Sequence, residues 1–275
     1  MNKFFEYINA DLPIKKELLS IFKKETPSNI FDIGACEGED SIRYGLLFKD
    51  VNIYSFEPLP DNFKMCKNNF NKFPYLNIKC YPYALSDKNG FEKFYVSSGQ
   101  PDGTENDDWN YGNKSSSLFP PNPGYKKLSW LKYNNIIEVE CKTLYSFCKE
   151  NNIKIIDFIH MDVQGAELKV LKGADNFIRQ VKVIWLEVEN APIYLEQPLK
   201  KDIETFMKVV HFKKIIDTAN NNDSGDQLYI NLDFFKRYAP FVLKIVIIDK
   251  MKKIYPFIVA LKKRIKNIIN LWNWI

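Results

Sequence analysis

A chain of 275 residues with 45% apolar and 15% aromatic side chains can bury a full core, and reads as one large domain with an appendage. No apolar run is long enough to span a bilayer, and five cysteines without a C-x-x-C pair argue against a disulfide framework or a structural zinc site. The net charge of +5 is uneven: residues 234–275 hold ten Lys/Arg against one acid, so residues 1–233 are mildly acidic and unsuited to nucleic acid.

The N-terminus is interrupted by Glu6 and Asp11 and lacks a secretory pattern, so residence in the cytoplasm is expected. Residues 1–28 read as one or two short helices leading in. Asn29, Ile30 and Phe31 open a strand that runs into the turn Asp32-Ile33-Gly34-Ala35-Cys36-Glu37-Gly38. A second strand, Tyr54-Ser55-Phe56, ends on Glu57-Pro58. In an α/β fold, a glycine-containing turn after one strand and an acid at the end of the next hold an adenosine-containing cofactor. Gly34 and Gly38 are expected to remove side chains where the ligand approaches the backbone, with a helix beginning after Gly38. The turn is G-x-x-x-G rather than G-x-G-x-x-G, and Glu37, Glu39 and Asp40 would repel a pyrophosphate. They suit a cationic cofactor, S-adenosylmethionine, with Glu57 accepting from both ribose hydroxyls. The competing reading is a tight strand-to-helix turn and no more.

Residues 61–73 fit a helix closed by Pro74, residues 77–83 a third strand, and residues 91–96 a short strand after Lys88-Asn89-Gly90. Periodicity then disappears over residues 97–135, an insert loop carrying Trp109, Tyr111, Phe119, Tyr125 and Trp130. These rings are either a floor for a sugar-like ligand or pins that fix the loop to the body. Residues 136–141 read as a strand, 143–151 as a helix and 153–161 as a strongly apolar, central parallel strand. After His160-Met161-Asp162-Val163-Gln164-Gly165-Ala166-Glu167 a helix is expected to residue 181, then a strand over 183–188 ending on Glu189-Asn190. A helix over 202–210 follows, and residues 213–217 with 227–231 are expected to close the sheet as an antiparallel edge pair. The whole reads as a doubly wound Rossmann-like sheet over residues 29–233.

In the order of its motifs the chain resembles FkbM-type S-adenosylmethionine-dependent O-methyltransferases. The motifs are the 32–38 turn, Phe56-Glu57-Pro58, Tyr83-Ala84-Leu85-Ser86-Asp87, Ser115-Ser116-Ser117-Leu118, Asp162-Val163-Gln164-Gly165-Ala166-Glu167, Trp185-Leu186-Glu187 and Gly225-Asp226-Gln227-Leu228-Tyr229. The resemblance implies a class I methyltransferase fold acting on hydroxyls of sugars, polyketides and related metabolites. It also implies a cofactor site at Asp32, Gly34, Ala35, Glu37, Gly38, Glu57, Pro58, Ala84, Leu85, Ser86 and Asp162. Members commonly read Lys-Ile-Asp-Val-Glu-Gly-Ala-Glu where this chain has His160 for the lysine and Gln164 for the first glutamate, so the lysine's role does not carry over.

Methyl transfer needs the acceptor oxygen aligned with the methyl carbon and its proton removed. His160, ordinarily near pKa 6.5, is the candidate base or orienting group, with Asp162 and Glu187 beside it. The bland alternative makes His160 a strand residue and Asp162 a helix cap. Trp109, Tyr111, Ser117 and Glu189 are candidate acceptor contacts. The carboxylates would suit a divalent cation, but no spacing demands one. His211 reads as a surface residue. In the tail, Phe257, Leu261, Ile265, Ile268, Trp272 and Ile275 share one helical face opposite Lys262, Lys263 and Lys266. That pattern fits an anionic membrane surface, here the inner face, or a contact in a homo-oligomer. The acceptor expected from all this is a sugar of a surface glycan or its precursor. The alternatives are a small non-sugar metabolite or a non-catalytic assembly protein.

Overall fold

The structure, a computed structural model, describes residues 3–101, 103–104, 111–220 and 222–234. The amphipathic tail and Trp109 lie outside the described residues, as does the side chain of Tyr111. Ten strands are described: β1 (Asn29–Ile33), β2 (Asn52–Phe56), β3 (Asn77–Tyr81), β4 (Ala84–Leu85), β5 (Gly90–Ser98), β6 (Lys132–Lys142), β7 (Ile156–Met161), β8 (Val181–Glu189), β9 (Phe212–Asp217) and β10 (Ser224–Asn231). The helices are α1 (Lys3–Asn9), α2 (Lys15–Ile21), α3 (Glu39–Leu47), α4 (Pro60–Phe70), α5 (Leu144–Glu150), α6 (Glu167–Gly173) and α7 (Lys200–Val209).

Seven strands form one sheet in the order β3-β2-β1-β7-β8-β10-β9. β1 pairs in parallel with β2 and β7, β2 with β3, and β7 with β8. β10 runs antiparallel to both β8 and β9. The expected hairpin is present, with its antiparallel strand inserted one place in from the edge. The order reverses between β1 and β7, which opens a crevice beyond their carboxyl ends.

Period-two alternation explains why both faces are covered. Phe31, Ile33, Ile159, Met161, Ile184 and Leu186 pack toward α5, α6 and α7. Ile30, Phe158, Val183, Trp185 and Leu228 pack on the other face, with Leu18, Ile21 and Tyr44 from α2 and α3. The N-terminal segment is part of the domain body: Phe4 and Ile8 of α1 are buried against Ile42 of α3.

Three expectations need correction. β4, β5 and β6 leave the main sheet and form a second one, in which Gly90 pairs with Cys141 and Ser98 with Lys132. The insert loop is thereby shortened to residues 99–131. The helix expected to reach residue 181 stops at Gly173, because Asp175 adopts φ 46° and a 3-10 turn, Asp175–Gln180, carries the chain into β8. Among the described residues no helix is long and apolar enough to cross a membrane.

Candidate active site

The crevice has two lobes that share Gly34, Cys36, Lys114 and Asp162. The first has an apolar wall of Phe56, Pro58, Leu85, Phe94 and Leu118, with Glu57, Asn62 and Asn113 among its polar groups. The second is charged, lined by Asp32, Glu39, Asp40, His160 and Asp162, with Tyr7 of α1 contributing an aromatic wall.

Each lobe is built by backbone geometry. Gly34 turns the chain out of β1 at φ 89°, and its amide and that of Ala35 donate to the Phe56 carbonyl, so the end of β2 is tied to the turn. The Asp162 amide donates to the Ile33 carbonyl, which brings the end of β7 alongside. Gly38 also has a positive φ, 83°, but its missing side chain makes room for the ring of Phe70 rather than for a ligand. That corrects the role expected for it.

Glu57 stands where the acid at the end of β2 was expected. Its carboxylate accepts from the amides of Cys36 and Leu59, both at 2.8 Å, one on each oxygen. Each oxygen keeps a lone pair for a further donor. Burial raises its pKa to about 8 against the opposing pull of those two amides. Asn113 was not anticipated. Its amide nitrogen donates to Glu37 at 3.3 Å and Asn62 at 3.1 Å, while its buried oxygen has no partner. An apolar slot with a carboxylate and an unserved acceptor fits a nucleoside that presents ribose hydroxyls and an amino group.

The three acids of the turn are not equivalent. Glu37 is buried against Asn113 and lies away from both lobes, Glu39 pairs with Lys114 at 2.8 Å, and Asp40 pairs with Arg43 at 2.8 Å. Asp32, held by Ser41, and Asp162 complete the charged lobe. His160 Nδ1 lies 3.5 Å from Asp32 and 3.9 Å from Asp40. Burial lowers its pKa, but the Asp32 contact and the charges of Asp40 and Asp162 outweigh it and carry the value up to about 9. That direction favours the protonated imidazole, and with it the orienting role expected for His160 over that of a neutral base.

On the acceptor side, Gln164 donates to Asp162 at 2.6 Å and to Glu187 at 3.1 Å. Burial, then the charge of Asp162, holds the Glu187 carboxyl well above the usual range, and burial does the same for Glu189. Asp226 is raised to about 6 by burial and Asp162. Asp162 does not cap α6, since the carboxylate of Glu167 reaches back to the Val163 amide instead.

Ala35, Pro58, Ala84 and Leu85 line the lobes as expected. Ser86 does not: it is fully buried and donates to Glu92. Ser117 is likewise buried, donating to the Gln164 carbonyl at 2.7 Å and accepting from the Phe119 amide, and Glu189 is also buried. For Ser117 and Glu189 burial removes the side chain from direct reach of an acceptor. Of the described loop rings, Tyr125 is tied to the body by donating to Asp223 at 2.7 Å. Among the described residues no group of three or more His, Cys, Asp or Glu is placed to hold a metal ion.

The chain is similar to several known proteins. A 2-O-methyltransferase, NoeI, from Sinorhizobium fredii (strain NBRC 101917 / NGR234) is 29% identical over 212 residues, 76% of this chain and 84% of that protein. Solved structures similar in fold include a SAM dependent methyltransferase from Aquifex aeolicus, with TM-score 0.41, 9% identity and coverage of 83% of this chain and 98% of that one. Another is precorrin-6y C5,15-methyltransferase from Geobacter metallireducens GS-15, with TM-score 0.39, 13% identity and coverage of 81% and 88%. At such scores they carry no argument beyond general likeness. Residues 32–214, well over half of the chain, match the Methyltransferase FkbM domain, and the protein belongs to that family of S-adenosylmethionine-dependent methyltransferases.

Proposed function

We propose that the protein methylates a hydroxyl group of a sugar, in a surface glycan or its precursor. The observation that carries the acceptor class is the charge of the second lobe. Asp32, Glu39, Asp40 and Asp162 outnumber Lys114 and His160 in its lining, and Glu187 and Asp226 stand behind Asp162. A neutral polyhydroxylated acceptor can donate hydrogen bonds to such a surface, whereas an anionic acceptor group would be repelled. Similarity to a protein named as a 2-O-methyltransferase supports oxygen as the methylated atom.

The cofactor, when bound, supplies an electrophilic methyl group. Glu57 would accept from its ribose hydroxyls and the acids of the charged lobe would face its cationic end. Asp162 lines both lobes and, on this reading, would accept a hydrogen bond from the acceptor hydroxyl and take its proton. His160, as an imidazolium, would hold Asp32 and Asp40 together rather than abstract a proton. The basic, apolar pattern of residues 234–275 suits delivery to an acceptor held at an anionic membrane.

The test is transfer from radiolabelled S-adenosylmethionine to a panel of mono- and oligosaccharides, with catechols and hydroxy acids as the other arm. Label in a sugar, located on oxygen by mass spectrometry, is the expected result. Transfer confined to the non-sugar arm would replace the acceptor class, and cofactor binding with no transfer to either would favour a non-catalytic role.

A further inference from the structure

Gln164 sits in the turn after β7 with φ 54°, a conformation few non-glycine residues adopt. Its side chain engages three others. The amide nitrogen meets Asp162 Oδ1 at 2.6 Å and Glu187 Oε2 at 3.1 Å, while the amide oxygen accepts from the Tyr194 hydroxyl at 2.9 Å. The carbonyl of Ser115 is within reach of two hydroxyls, Tyr133 at 3.1 Å and Tyr194 at 2.9 Å. The Tyr194 hydroxyl faces both the Ser115 carbonyl and the Gln164 amide oxygen, and the two carboxyl groups on the other side set the amide with its nitrogen toward them.

We propose that Gln164 is a positioning residue whose amide ties Asp162 to Glu187, so that Asp162 presents its charge where the cofactor's cation and the acceptor hydroxyl meet. An NH2 group has two hydrogens, and each here faces a different carboxyl group. The surroundings are otherwise acidic: Glu187 and Glu189 come from β8, Glu167 from α6, Asp226 from β10 and Asp40 from α3, with His160 of β7 the cation on the cofactor side. Without the amide, the Glu187 carboxyl, which burial holds above the usual carboxylate range, would turn its proton toward Asp162 and dilute the charge there.

The proposal rests on the methyltransferase reading, and calorimetric titration with S-adenosylmethionine separates the two. Gln164→Met is expected to weaken binding about tenfold at pH 6.5, the scale of one hydrogen bond to a charged group. The gap to wild type should narrow toward pH 8.5, as the Glu187 proton leaves. Adding Glu187→Gln supplies a new amide donor and should restore affinity. Tyr194→Phe frees the Gln164 amide to turn and should give a smaller loss with the same pH trend, which keeps the test open if the methionine variant folds poorly. A loss equal at both pH values without rescue, or no loss, would overturn the positioning role while leaving the cofactor site intact. Wild-type protein that does not bind S-adenosylmethionine would overturn both.

Discussion

The carbonyl oxygen of Asp162 occupies the space that a side chain at Gly34 would need: a Cβ built there lies 1.9 Å from it. This contact joins the end of β1 to the end of β7 at the floor of the crevice. Gly34→Ala combines that clash with a left-handed φ of 89°. A cost of about 2–5 kcal/mol is expected, from overpacking plus backbone strain. Thermal unfolding should show a Tm lowered by roughly 5–15 °C, with cofactor binding reduced in whatever folds.

Glu57 is predicted to set the cofactor affinity. Glu57→Ala removes the acceptor while leaving two backbone amides, and should weaken S-adenosylmethionine binding by about ten- to a hundredfold in calorimetry. Its pKa, raised from 4.5 to about 8, implies that the folded protein carries an extra proton here between those values. Hydroxyl donors favour the ionised form, so binding at pH 7 should release that proton. Buffers of different ionisation enthalpy will report the release in wild type, and it should be missing in Glu57→Ala.

His160 also has a raised value, but here it is the charged form that the fold stabilises. Its folded pKa, about 9, lies above the ordinary 6.5, so its stabilising contribution is complete below pH 6.5 and is lost as pH rises through 9. The wild-type Tm should therefore fall, relative to His160→Gln, between pH 6.5 and 9. The chain has two histidines, and imidazole NMR with His211→Gln as an assignment control will show directly whether His160 stays protonated at pH 8.

Asn113 tests the apolar lobe. Its buried oxygen has no partner, so a cofactor donor would satisfy it. Asn113→Ala should weaken S-adenosylmethionine about tenfold, the size of one buried hydrogen bond. Unchanged affinity would place the cofactor's donors elsewhere.

Lys114 is the cation beside the otherwise acidic turn, paired with the buried Glu39 at 2.8 Å. Lys114→Met leaves that carboxylate without its partner and should cost about 3–5 kcal/mol at neutral pH, because breaking a buried pair strands its other half. Adding Glu39→Gln should recover much of the loss in urea unfolding, since no stranded charge then remains.

The strands of the main sheet were legible because alternation of residues such as Ile30 and Phe31 identifies both faces, and because Glu57 follows β2 where a ribose-binding acid belongs. What escaped was set by partners distant in sequence. No local pattern announces that Gly90 pairs with Cys141, or that β4, β5 and β6 make a sheet of their own. Helix α6 ends before Asp175 without a proline to mark the break. Gly38 looked like a place of ligand approach until Phe70 proved to fill it, and His160 looked neutral because Asp40 comes from another element. The departure at Gln164 was visible as a residue, but its meaning required Asp162, Glu187 and Tyr194 in space.

The inserted antiparallel strand has one consequence for how such a protein can change. Because β10 runs against β8, its beginning lies at the same end of the sheet where β8 finishes, and Asp226 stands opposite Glu187. The wall behind Asp162 is thus contributed by β8 and by β10, the latter beyond residue 214, where the match to the family model stops. Glu57 and the Gly34 turn stand on β2 and β1, several strands away. Changes in the final described hairpin would therefore alter the surroundings of Asp162 and leave the Glu57 end of the crevice in place.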